Sequence, residues 1–446
     1  MELAGGAVGL ASLTSSVREA ASRIPFVKVC GAVSGIAAQV LHVVGLSRYL
    51  QLGNLVEVDS PGTPLLAEVI RLERDIAIVK PMSDGAVVAL GASVWPAGNI
   101  QLWPHESWKG RLIDALGMVI DGGPGLAMGA QEVSVQRRAP VAMSRHSIAR
   151  TVSTGVRAID VFTPLCFGQR IGVFAGSGIG KSTLLAMLAR SDGFETIVVS
   201  LVGERGREVR EFVEVALGAL AHKAIIVVAT GDESAMMRRL APLSAMAIAE
   251  YFRDQGDAVL LIVDSVTRYA HACREVALAA GEQPVARGFP PSVFSDLPRL
   301  LERAGPGSDG NGSITGIFSV LVDGDDHNDP VADAIRSTLD GHVVLDRAIA
   351  ESGRYPAIDI LTSISRLAER AWTPDQRTAV VELRKLVARY EESRDLRAVG
   401  GYHPGADEEL DRAVAMVPRL YGALNQHPDQ PASSDAFRDI AEGLSK

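Results

Sequence analysis

Residues 171–190, IGVFAGSGIGKSTLLAMLAR, set a glycine-rich loop between an apolar strand and an apolar helix, and the residue types in that loop suit the holding of a polyphosphate. Gly176, Gly178 and Gly180 let the backbone turn successive N–H groups into one hollow, and a helix beginning near Ser182 adds the positive end of its dipole. Lys181 is then within reach of the β- and γ-phosphates, and the Ser182 hydroxyl is available to Mg²⁺. Ser177, Ile179 and Thr183 complete the stretch that would enclose the nucleotide phosphates. Ala175 stands where the pattern G-x-x-x-x-G-K-[ST] has its first glycine, so the bare pattern is only nearly met, and the flanking strand and helix give it its meaning.

A magnesium–nucleotide site also needs a carboxylate near the phosphates, at the end of a neighbouring strand. Residues 258–264, AVLLIVD, form a near-continuous apolar run ending in Asp264, as expected of a strand buried on both faces of a parallel sheet. Hydrolysis further asks for a positioned water and a cation against the developing charge. VGERGREV at 202–209 offers Glu204, Arg205, Arg207 and Glu208. A charged run is commonly a solvated face, but this one follows an apolar strand, at the sheet end where open α/β folds bind ligands.

Positioning these groups requires an α/β unit, and the sequence alternates accordingly from about 150 to 370. Strands are predicted near 171–174, 196–202, 224–229, 258–263, 314–322 and 357–361. Before it, from 26 to about 95, short β-type runs broken by Gly and Pro predict a small β-barrel. A linking segment, including GRLIDALGMVIDGGPG at 110–125, joins the two. After Pro374 the pattern is helical: Leu383, Leu386, Val387 and Tyr390 share a face, as do Leu410, Val414, Val417, Tyr421 and Leu424. At the start, Ser16 and Glu19 have capping-box spacing for a short helix ending before Pro25, with a stripe of Val17, Ala21 and Ile24 that could meet a partner or its own domain. The resulting domains are 1–25, 26–95, 96–372 and 373–446.

Composition fits a large soluble enzyme: 446 residues, 47% hydrophobic and only 5% aromatic, so cores are built from Val, Ile, Leu and Ala. Three separated cysteines, Cys30, Cys166 and Cys273, suggest free thiols in a reducing compartment. The first residues lack the basic start of a secretory signal, and there is no apolar run of bilayer length. A net charge of −9 with no basic block, and a barrel thin in aromatic and basic residues, argue against nucleic acid as the main partner. The acidic loop DGDDHND at 323–329 fits no standard calcium-loop spacing and is read as lying near the nucleotide.

Spacing alone would not single out Tyr355 or Arg366 in YPAIDILTSISR at 355–366. Together with the loop at 175–182, the GER segment and DSVTRYAHA at 264–272, however, that stretch resembles the rotary-ATPase family of F1 and V1 subunits. More narrowly, GFPPSVFSDLPRLLERAG at 288–305, FSVLVDGDDHNDPVAD at 318–333 and GGYHPGADEELDRAV at 400–414 resemble the flagellar protein-export ATPases of the type III secretion branch. The resemblance runs from about residue 25 to about 425 and implies a RecA-like P-loop core with an N-terminal β-barrel and a C-terminal helical domain. It implies ATP and Mg²⁺ as ligands, with Lys181 and Ser182 as the phosphate-loop Lys and Mg²⁺ hydroxyl, and Asp264 holding the Mg²⁺ shell. Glu204 matches the carboxylate that orients the attacking water, Arg205 and Arg268 match phosphate-side arginines, and Tyr355 matches the ring stacked on adenine. Arg366 matches an arginine finger given to a neighbouring subunit. Alanine at 175 is what the export branch itself has. A chain carrying both Glu204 and Arg366 can donate and accept at once, so a homo-hexamer suffices.

The implied activity is Mg²⁺-ATP hydrolysis that energises type III protein export from the cytoplasm, at an export apparatus on the inner membrane. The implied partners are a stator-like regulator at the N-terminus, a central stalk-like protein, an export gate, export substrates and their chaperones. Contact with the membrane would be indirect. An injectisome ATPase and a rotary ATP synthase subunit are the alternatives in the same fold; a ring-shaped RNA translocase is disfavoured by the barrel's composition.

Overall fold

The computed structural model describes residues 28–37, 39–85, 87–148, 150–308, 311–322 and 329–445. The expected helix near residue 16 and nearly all of the acidic loop at 323–329 lie outside them. Two compact units, Met1–Asn99 and Ile100–Lys446, divide the chain.

The first unit is the expected barrel. Strands β1 (Gly31–Ala37), β2 (Val40–Val44), β3 (Leu55–Val58), β4 (Leu65–Leu72), β5 (Ile76–Pro81) and β6 (Ser93–Gly98) close in the order β1-β2-β5-β4-β3-β6, every pair antiparallel. Alternation decides the inward face: in β3 Val56 and Val58 are buried while Glu57 between them is exposed. Val33, Val43, Val69, Val79 and Val94 fill the interior with them. Closure removes the free strand edges that such short strands would otherwise expose.

The second unit is built on a mostly parallel sheet. Its strands are β7 (Leu112–Asp114), β8 (Arg170–Ala175), β9 (Thr196–Val202), β10 (Ala224–Ala229), β11 (Ala258–Asp264), β12 (Ser313–Leu321), β13 (Gly341–Val344) and β14 (Ile364–Ser365), in the order β14-β13-β8-β12-β11-β9-β10-β7. All neighbours along this path are parallel except the edge pair β13–β14. Every residue of β9 and β10 is buried, which is why these strands read as unbroken apolar runs.

Two expectations are corrected. Residues 357–361 form no strand beyond a single bridge, Leu345 to Ile358. Asp359 diverts the chain, its carboxylate accepting from the Leu361 N–H at 2.9 Å and the Thr362 hydroxyl at 2.7 Å, an Asx-type turn that outcompetes a ladder. Part of the expected linking segment is instead β7, which pairs with β10 at the sheet edge.

Helices α1 (Arg157–Phe162), α2 (Lys181–Ala189), α3 (Gly206–Glu211), α4 (Ala235–Asp254) and α5 (Val266–Ala279) belong to this core. The C-terminal part is helical: α6 (Pro374–Glu392), α7 (Glu408–Leu424) and α8 (Ala436–Ser445). Thr373 and Gln376 form a capping box ahead of α6, with Pro374 in the first turn. Leu386 and Val387 of α6, Val417 and Leu424 of α7 and Ile440 of α8 join the same hydrophobic cluster as the sheet. Among the described residues no helix is long and apolar enough to cross a membrane.

Candidate active site

The loop expected to hold phosphates begins at the C-terminal end of β8. Ile179 is buried in the core and pins the loop, while Ser177 and Gly178 beside it are exposed. Gly180 has φ +94° and caps α2 in the left-handed conformation with no side-chain cap hydrogen bond, so the first amides of the helix remain directed outward for an anion. Gly176 is buried at the strand end, and Ser182 and Thr183 are exposed at the helix start. Arg347 Nη2 donates to the Ser177 carbonyl at 3.3 Å and braces the loop from outside.

Lys181 is buried at the centre of a charged cluster. Its ammonium is ion-paired with Asp264 and lies 3.5 Å from the Ser319 hydroxyl and 4.0 Å from Glu204 Oε1. Asp264 does not come from the strand next to the phosphate loop: β12 intervenes, and its Ser319 donates to Asp264 Oδ1 at 2.6 Å. Register explains the meeting, since Val263 pairs with Phe318 and Val173 with Ser319, putting all three strand ends on one level. Ser319 is a site residue that sequence reasoning misses. Its one signal is a hydroxyl near the end of an otherwise buried apolar strand.

Glu204 follows β9 through Gly203, whose φ is +67°; a Cβ there would lie 2.8 Å from Arg268 Cδ, so only glycine fits. Arg268, on the first turn of α5, reaches Glu204 Oε1 with Nη1 at 2.5 Å. Arg205 is exposed and starts α3, outside this cluster; its backbone N–H donates to Glu208 Oε2 at 3.4 Å. Burial pushes the Glu204 carboxyl up to about 7, helped by its hydrogen bond with Glu208 and by the charge of Asp264, against the pull of Arg268 and Lys181. Glu208 is held below its usual range, first through that same hydrogen bond, so of the two carboxyls Glu204 is the one that keeps its proton to higher pH.

Tyr355 brings its ring to the phosphate loop, where a Cβ on Gly180 would lie 3.8 Å from Cδ1 and Cε1, and the ring stays partly exposed. Arg366 lies elsewhere. Its N–H donates to the Asp340 carbonyl, and the Asp340 N–H donates in turn to the carbonyl of Arg170, the first residue of β8. It therefore sits at the end of the sheet opposite its own phosphate loop, about 17 Å away along the strand at ~3.3 Å per residue. Its side chain is exposed.

This donor set fits magnesium and a nucleotide: Ser182 and Asp264 are hard oxygen donors, and the loop, α2 and Lys181 suit phosphates. Residues 155–365 match the nucleotide-binding domain of the ATP synthase alpha/beta family, and residues 372–440 match the C-terminal domain of the type III secretion ATPase EscN. The chain belongs to that nucleotide-binding family. Within it, the chain is an ATPase of the type III secretion branch, alongside the flagellum-specific ATP synthases. It is 57% identical over 414 residues to the flagellum-specific ATP synthase of Agrobacterium fabrum, covering 93% of this chain and 88% of that one. The type 3 secretion system ATPase of Xanthomonas euvesicatoria is 43% identical, with 90% of each chain covered. The assembled EscN of enteropathogenic E. coli superposes with a TM-score of 0.85 at 39% identity, over 93% of this chain and 99% of that one. A second EscN structure, in complex with its central stalk EscO, gives 0.84 at 37% identity over 93% and 100%.

Proposed function

We propose that this chain hydrolyses Mg²⁺-ATP in a homo-hexameric ring and thereby energises export of flagellar subunits through a type III apparatus. The observation that carries the reading is the convergence of buried Lys181, Asp264, Ser319 and Glu204 with half-buried Arg268 beside a glycine-capped helix start. Lys181 meets the β- and γ-phosphates, Ser182 and Asp264 would hold a magnesium ion, which would supply positive charge against the phosphates, and Glu204 in its ionised form orients the attacking water. Arg268 holds Glu204 in place and lies ready for the phosphate side, with Arg205 entering from the start of α3. Tyr355 stacks on adenine, and Arg366 serves the neighbouring subunit.

A flagellar role is favoured over an injectisome by the higher identity to the flagellar relatives, 57% against 43%. The EscN–EscO complex supports a stalk-like partner in the ring's centre, and the assembled state of EscN supports the ring. The remaining partners are a stator-like regulator at the N-terminus, the export gate, substrates and chaperones. The site of action is the cytoplasmic side of the inner membrane, reached through those proteins.

The test is Lys181→Ala, which removes the cation at the phosphates; ATP turnover should fall to background while circular dichroism keeps the wild-type spectrum, with the melting temperature lowered because Asp264 loses its buried partner. Normal turnover in a folded variant would overturn the assignment.

A further inference from the structure

The ring of Tyr355 is set by the chain that leaves α7. Both backbone polar groups of Tyr355 are taken by two consecutive residues there: its N–H donates to Asn425 Oδ1 at 2.9 Å, and its carbonyl accepts from the Gln426 N–H at 2.6 Å. The Gln426 side chain is buried and spans to the beginning of the nucleotide-binding region. Its Nε2 donates to the Gly155 carbonyl at 2.7 Å and its Oε1 accepts from the Arg157 N–H at 3.1 Å, opposed partners that determine the amide's orientation. Arg157 Nη2 closes the circuit on the Asn425 carbonyl at 2.9 Å. One residue before the ring, the Arg354 guanidinium lies 3.9 Å over Tyr421 of α7.

We infer that Asn425 and Gln426 are positioning residues for nucleotide binding: they hold Tyr355 against Gly180 and so set the affinity for the base-bearing half of the ligand, without touching the phosphates. The inference rests on the reading of Tyr355 as the adenine-side ring. Its physical basis is that Tyr355 is partly exposed and that the nearest ladder contact of its segment is the bridge at Ile358, three residues on, so the hydrogen bonds from Asn425 and Gln426 act directly on the residue that carries the ring.

The test compares ATP with inorganic tripolyphosphate, a probe that carries the charge and lacks the base, by calorimetry on the full chain in Mg²⁺. Asn425 is exposed, so its variants should fold. Asn425→Ala is expected to weaken ATP binding about ten-fold and leave tripolyphosphate unchanged, the loss of roughly one hydrogen bond's ordering. KM for ATP should rise in step, with kcat within about two-fold. Asn425→Asp keeps an acceptor for the Tyr355 N–H and should restore wild-type affinity. In a Tyr355→Ala background, Asn425→Ala should add nothing, since a residue acting through the ring has no effect once the ring is gone. Wild-type ATP affinity in Asn425→Ala, equal weakening of both probes, failure of the Asp variant, or a full further loss in the Tyr355→Ala background would each overturn the inference while leaving Tyr355's role standing. Unchanged ATP preference in Tyr355→Ala alone would overturn both.

Discussion

Glu204, just before α3, and Glu208, in its first turn, are four residues apart, and only Glu204 pairs with Lys181. Because burial raises the Glu204 carboxyl to about 7, the free enzyme must lose that proton before the carboxylate can orient water, so kcat/KM should rise with pH through about 7. Glu208→Gln keeps an acceptor oxygen but removes the negative charge that favours a proton on Glu204, and should move this limb to lower pH; an unmoved limb would show that Glu208 does not hold it. Glu204→Gln should bind ATP and hardly hydrolyse it, and an active Glu204→Gln beside an inactive Glu208→Gln would reverse the two roles. Stability shifts with a definite sign. A carboxyl raised in the folded state from 4.5 to about 7 stabilises fully below 4.5 and loses that contribution as pH climbs through about 7. The melting temperature of Glu204→Gln relative to wild type should therefore improve between those pH values, measured by scanning calorimetry at both ends.

At the scale of elements, the sheet is braced by an ion pair far less accessible than the charges on the surface helices. Arg303 donates to Glu250 of α4 through Nε and Nη2, both at 2.9 Å, and through Nη1 to the Val135 carbonyl at 2.8 Å, with both side chains buried. Removing one partner leaves the other charged and dry, so Glu250→Ala should cost about 3–5 kcal/mol in urea unfolding. Replacing both with apolar residues of similar volume, as in Glu250→Leu with Arg303→Met, should recover much of that loss. A cost below about 1 kcal/mol for Glu250→Ala would mean that water reaches the pair. By contrast, Arg438→Ala, which loses an exposed pair with Glu442 on α8, should change stability by less than about 1 kcal/mol.

For the whole molecule, the decisive fact is the distance within one chain between Arg366 and its own phosphate loop, which lie at opposite ends of β8 and its neighbours. An arginine so placed is out of reach of its own phosphate loop, and on the proposed reading it serves a neighbouring subunit. Arg366→Ala should then bind ATP but lose roughly 10³–10⁵ in rate, the usual contribution of such an arginine, and wild-type specific activity should rise with protein concentration as rings form. Mixing Arg366→Ala with Lys181→Ala can set an intact Arg366 against an intact phosphate loop, so activity should return. Mixed rings that stay inactive, with wild-type activity independent of concentration, would return Arg366 to a structural role.

Local pattern was enough for the barrel, where period-two alternation separates Val56 and Val58 from Glu57, and for the phosphate loop, where glycines, Lys181 and a following apolar helix lie within one short stretch. Such features are legible because their periodicity and backbone demands are carried by neighbours in the chain. What tertiary structure alone decided is what meets across it. Strand order placed β12 between β8 and β11 and so brought Ser319 under Lys181; α5 carried Arg268 rather than Arg205 to Glu204. The turn made by Asp359 cancelled a strand that composition favoured, and the end of α7 returned Asn425 and Gln426 to Tyr355, seventy positions earlier than Asn425 in the sequence. These are pairings between distant segments, whose partners are set by sheet order, register and helix packing, and no local propensity encodes them.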